Sequence, residues 1–101
     1  MIKHIVVWKL KEFAEGANKN QNAKKVKELL EGMRGKIPGL RHIEVGINFT
    51  LEDGCADVVL YSELDSRDAL AVYQNHPVHA AVKDFIKNVR SERQVIDYEI
   101  S

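Results

Sequence analysis

This chain has a single cysteine and no excess of either charge sign, and each of these lacks removes a class of protein from consideration. The one cysteine, Cys55, has no partner for an internal disulfide, so a disulfide scaffold is excluded. Lys plus Arg and Asp plus Glu number 15 each, and no like-charge block is longer than the Lys24-Lys25 pair. That balance offers no handle to nucleic acid or to an anionic membrane. No apolar stretch approaches the roughly 20 residues that cross a bilayer. The first residues enter a strand-like pattern rather than a basic-then-apolar leader, so the expected location is the cytoplasm. GxGxxG, P-loop and GxSxG sequences are missing too, and no dinucleotide or phosphate-tailed cofactor is expected.

What is present fits one domain spanning residues 1–101, with 45% apolar content, room for a real core, and a size at which burial against a partner matters. Residues 2–10, IKHIVVWKL, are apolar on both alternating faces, with His4, Val6, Trp8 and Leu10 on one and Ile5 and Val7 on the other. They predict a strand covered on both sides. Residues 11–22 read as a loop, with Phe13 as a residue that could tuck inward. From Ala23 to Lys36, Ala23, Val26, Leu29, Leu30 and Met33 recur at three and four, predicting an amphipathic helix ended by Gly35 and Pro38-Gly39. Residues 41–49 and 56–64 predict two strands of a hairpin. Asp65-Ser66 caps a helix over 67–75, and Pro77, which cannot continue it, suits the first position of another that runs to about Arg90. QVIDYEI supplies the last strand.

The order β-α-β-β-α-α-β predicts an α+β ferredoxin-like sandwich, a four-stranded antiparallel sheet with helices on one face. The other face would leave Ile5 and Val7 in water at roughly 1.5–3 kcal/mol each. A second copy is the expected cover: a homodimer through the sheet face, closing a dimeric α/β barrel.

The stretch YQNHPVHAAVKDF, residues 73–85, carries the candidate chemistry. His79 falls in the first turn of the helix begun by Pro77, where unpaired N–H groups and the helix dipole disfavour positive charge. Its imidazole is therefore expected neutral near pH 7 and fit to act as a general base. Tyr73, in the last turn before the break, is placed to donate to a carbonyl oxygen as negative charge develops there. His4 shares its strand face with Val6 and Trp8, so three polar heads converge on an apolar floor if helices cover that face. The plainer alternatives are a backbone-satisfied imidazole at His79, a core tyrosine at Tyr73, a strand-bonded histidine at His4 and a helix cap at His76. Pro77 interrupts His76-x-x-His79 and no Cys or Glu completes a tetrahedral set, so no metal is expected. Cys55 has no basic neighbour to make it a nucleophile.

Together IKHIVVWKLKE, KIPGL, YQNHPVHAAV and VIDYE resemble the stress-responsive A/B barrel (Dabb) family over nearly the whole chain. The resemblance implies a ferredoxin-like subunit in a tight dimeric barrel. Plant cyclase members imply cofactor-free intramolecular aldol chemistry with a histidine base matching His79, a supporting tyrosine matching Tyr73 and a pocket histidine matching His4. Asp57 stands where a further histidine occurs, Leu30 where a second pocket tyrosine occurs, and Trp8 where a smaller aliphatic occurs, so that its indole could fill the cavity. The binding candidates are then His4, Val6, Trp8, Leu30, Asp57 and His76 around the catalytic pair His79 and Tyr73. The expected function is binding of a small organic molecule between sheet and helices, with cofactor-free aldol, cyclase or lyase-like proton transfer. The alternative is a non-catalytic structural or stress-response protein whose barrel has no ligand cavity. No residue specifically favours the related antibiotic-monooxygenase type.

Overall fold

In the computed structural model, which describes residues 1–101, β1 (Ile2–Leu10) alternates between buried and half-buried positions along its length. The segment after it is more ordered than a loop. β2 (Phe13–Ala14) and β3 (Ala17–Asn18) pair as a tight hairpin, and Phe13 is exposed rather than tucked inward.

The first helix, α1 (Lys19–Glu31), begins four residues ahead of Ala23. The Asn18 side chain accepts from the Gln21 N–H at 2.9 Å, and the Gln21 side chain accepts from the Asn18 N–H at 3.0 Å. This reciprocal cap nucleates a first turn made entirely of polar residues, which hydrophobic periodicity does not register. The helix also ends before Lys36: after the Gly32 N–H bonds the Glu28 carbonyl, the Met33 and Arg34 N–H groups bond carbonyls only three residues back, and residues 33–36 continue as tight turns.

β4 (Leu40–Ile47) and β5 (Val58–Leu64) form the expected hairpin, with Phe49 beyond the strand and exposed. Ser66 caps α2 (Arg67–Asn75), accepting from the Ala69 N–H at 3.1 Å. His76 then takes an extended conformation and Pro77 opens α3 (Pro77–Val89), so the helix breaks where proline chemistry requires. β6 (Arg90–Glu99) follows with no intervening loop.

The strands pair antiparallel in the order β4-β5-β1-β6, with the helices against one face: a ferredoxin-like α+β fold. Register assigns the faces. Val6 lies between Leu60 and Val95 on the helix-covered side, and Ile5 lies between Tyr61 and Ile96 on the other. The covered side, with Val26, Leu30, Tyr73, Val82 and Ile86 from the helices, forms the core. On the open side Ile5 and Val7 are only half-buried and Ile96 is 62% exposed. No helix is long and apolar enough to cross a membrane.

Candidate functional site

The site is built on the break between α2 and α3. Carbonyls in the last turn of a helix lack intrahelical donors. One of them, on Tyr73, accepts from Nδ1 of His79 at 3.1 Å. A carbonyl can only accept, so the proton of the neutral ring sits on Nδ1 and Nε2 keeps its lone pair, with no protein partner. The two rings lie against each other with centroids 4.4 Å apart at 31°.

From the sheet, His4 meets the Tyr73 ring edge-on at 5.7 Å between centroids. Its Nδ1 bonds the carboxylate of Asp97, its register partner on β6. Tyr73 is thus held between two imidazoles, one oriented by a carbonyl and the other by a carboxylate. Its hydroxyl is fully buried without a hydrogen-bond partner, and so is Nε1 of Trp8. A buried donor left unpaired costs about 1–3 kcal/mol, so these groups are held at some expense to the fold.

Burial sets the protonation states. It raises the Tyr73 phenol pKa well above its ordinary value, keeping the group protonated and able to donate. It lowers His79 to about 4, helped by the charges of Lys83, His4 and Arg93 and opposed by the Tyr73 carbonyl, so the ring is neutral near pH 7. The sequence expectation of a neutral His79 is met, with desolvation rather than the helix dipole as its first cause.

Beside these groups lies an open cleft of about 350 Å³. Val6, Trp8, Leu60 and Ile86 form its apolar part, and His4 and His79 its imidazole part. Lys83, Lys87, Arg90 and Arg93 complete the lining. Trp8 lines this space without filling it.

The structure brings His4, Val6, Trp8 and His79 together on the cleft and packs Tyr73 behind the imidazoles, off the cleft wall. It places three other candidates elsewhere. Leu30 is a fully buried core residue of α1. Asp57 accepts from the Leu10 N–H at 2.8 Å and lies 3.7 Å from Lys19, tying β1 to the start of α1. His76 accepts from the Val78 N–H at 3.1 Å and caps α3. In each case a local backbone or packing demand takes the side chain away from the cleft. Asp97 and the four cations were missed, because a lone acid or a scattered lysine carries no signal until strand register and helix phase bring them together. No group of three His, Cys, Asp or Glu side chains comes together in a metal-binding arrangement.

Solved structures share the fold. A dimeric protein of unknown function and ferredoxin-like fold from Bacteroides fragilis is 32% identical, with 98% of this chain and 95% of that one covered at a TM-score of 0.80. A dimeric ferredoxin-like protein of unknown function from Thermobifida fusca is 23% identical over 98% and 90%, with a TM-score of 0.82. The hydroxynitrile lyase of Passiflora edulis is 13% identical over 99% and 93%, with a TM-score of 0.77, a likeness of fold alone. Among curated proteins none is significantly similar. The model of the stress responsive A/B barrel domain matches residues 2–100, and the chain belongs to that family.

Proposed function

We propose that the chain binds a small carbonyl compound in the cleft and moves a proton at the carbon beside the carbonyl without a cofactor. His79 acts as the base and Tyr73 as the hydrogen-bond donor. The observation that carries this reading is the fixed tautomer of His79, whose Nδ1–H is tied to the Tyr73 carbonyl while Nε2 has no protein partner. His79 Nε2 takes the hydrogen as a proton, and the C–H electron pair becomes an enolate. The charge collects on the carbonyl oxygen, where the phenol O–H donates to it. If the enolate carbon attacks a second carbonyl of the same molecule, the carbon–carbon bond forms and the imidazolium proton passes to the new alkoxide. Because Tyr73 is 0% exposed, its donation requires the flanking imidazoles to part as ligand enters. The active unit in this reading is a homodimer joined through the open sheet face.

The non-catalytic alternative is a barrel filled by side chains. It accounts for the bond from His79 to backbone, but not for a cleft of about 350 Å³ beside two unpartnered buried donors.

Hydrogen–deuterium exchange at the methyl group of acetophenone and 4-acetylbenzoate in D₂O, followed by proton NMR, tests the proposal. The protein should accelerate exchange with at least one ketone, and a folded His79→Gln variant should lose about 100-fold or more of the acceleration. Tyr73→Phe should slow exchange yet gain about 1 kcal/mol of stability, because it removes an unpaired buried hydroxyl. No acceleration by the native protein, or an unimpaired His79→Gln variant, would overturn the assignment.

A further inference from the structure

Six of the fifteen Lys and Arg side chains are ion-paired, and none of the four that line the cleft is among them. Lys3, Lys9, Lys19, Lys27, Arg41 and Arg67 each lie within ion-pair distance of a carboxylate. Lys83, Lys87, Arg90 and Arg93 form no ion pair, and the cleft lining contains no Asp or Glu although the chain as a whole is neutral. They come from two elements that meet without a loop: Lys83 and Lys87 on α3, Arg90 at the junction, and Arg93 opposite Trp8 on β6.

General helix electrostatics explains only part of this set. Lys87 lies in the last turn of α3, where the dipole favours a cation. Lys83 donates to the Gln74 carbonyl at 2.5 Å, which fixes its position without neutralising its charge. Lys83 and Lys87 are four residues apart, a spacing at which like charges repel across one helical turn. Arg90 is half-buried, so its charge is not a freely solvated fringe. Beneath them, Trp8 contributes an indole N–H that is buried and unpartnered.

We propose that this basic wall recognises an oxyanion carried by the ligand, a carboxylate or a phosphate monoester, while the ligand's carbonyl end lies against the imidazoles. The inference rests on the reading of the cleft as a ligand site. Guanidinium forks suit both oxyanions, because two parallel N–H groups match two oxygens. At about 30 Å³ per water-sized group, the cleft holds about a dozen such groups, the size of one ring bearing a carbonyl and an acid. The anion would also act on the base. Lys83 and Arg93 both lower the His79 pKa, so a negative charge among them offsets that effect and moves the imidazole toward the range in which a base works near neutral pH. Substrate would then both anchor itself and raise the basicity of the group that deprotonates it.

The test uses the full chain, whose single tryptophan is Trp8, so one indole N–H resonance in a proton–nitrogen NMR spectrum reports on the cleft. The probes are 4-acetylbenzoate, its neutral isostere 4-acetylbenzamide, and 4-acetylphenyl phosphate. At low salt at least one anion should bind about 10-fold more tightly than the amide, and the tighter anion identifies the source of the oxyanion. Arg90→Gln/Arg93→Gln should abolish the preference, as should about 0.5 M salt. Because Arg90 caps a helix, Lys87→Gln/Arg93→Gln, which changes two exposed residues, is the second variant and should weaken the preference about 10-fold or more. Equal binding of amide and anions, or a preference that survives both variants, overturns the anion site. If His79-dependent exchange persists in that case, the base assignment stands alone. If no probe moves the indole resonance, the ligand reading of the cleft falls together with the anion site.

Discussion

At the scale of the residue, His79 links stability to pH. Its folded pKa of about 4 lies below the ordinary 6.5, so between these values the unfolded chain binds a proton that the folded chain refuses. Stability from this group is complete above pH 6.5 and is lost as the pH falls toward 4. Glu31, Glu63 and Asp65 have lowered pKa values and ordinary values of 4.5 or below, so their losses come at lower pH than that of His79, and comparison with a His79 variant assigns the loss between pH 5 and 7. The urea unfolding free energy should drop by about 2 kcal/mol from pH 7 to pH 5 in the native protein and much less in His79→Gln. Equal pH profiles for the two proteins would mean that the folded ring is hydrated and titrates near its ordinary value. The same group shows what sequence conveys: Pro77 places His79 in a first turn, but only the Tyr73 carbonyl decides which nitrogen carries the proton.

At the scale of the element, the approach to β4 depends on close contact with α2. Gly39 has φ +82°, and a Cβ there would lie 2.7 Å from the Cβ of Ala69. Its carbonyl also accepts from the Asp65 N–H at 3.0 Å, so the backbone has little freedom to withdraw. Gly54, at φ +86°, has nothing within 4 Å of the same added atom. Gly54→Ala should cost about 1–2 kcal/mol for the left-handed backbone alone. Gly39→Ala should cost about 1–3 kcal/mol more, because α2 must move. Denaturant midpoints of the two variants check this, and equal losses would show that the contact with α2 yields freely. Proline geometry made the break at His76-Pro77 readable in advance. The start of α1 was not, since Asn18 and Gln21 act through reciprocal hydrogen bonds rather than through hydrophobicity.

At the scale of the whole molecule, the open sheet face is the surface proposed for the dimer. Ile5, Val7, Val59 and Tyr61 remain half-buried there beside the exposed Ile96 and Tyr98. Solved structures with this fold are described as dimeric. The protein should run as a dimer in light scattering. Ile96→Asp, which puts a charge on that face beside Ile5, should convert it to monomer at micromolar concentration. A native protein that is monomeric at high concentration would remove the dimer from the proposal and leave the cleft on the other face intact.

The sequence by itself determined the order of the four sheet strands and three helices, the helix break at Pro77, the two faces of β1 and hence the shared side of His4, Val6 and Trp8. Each of these follows from periodicities of two or 3.6 residues and from proline geometry, which act over a few neighbours. Tertiary structure alone decided that Asp97 orients His4, that Asp57, Leu30 and His76 lie away from the cleft, and that four unpaired cations surround it. Those outcomes depend on the register of β6 against β1, whose partners His4 and Asp97 are 93 residues apart, and on the packing of α3 across the sheet. No local pattern encodes that distance, because long-range register is set by which faces bury together once the chain has closed on itself.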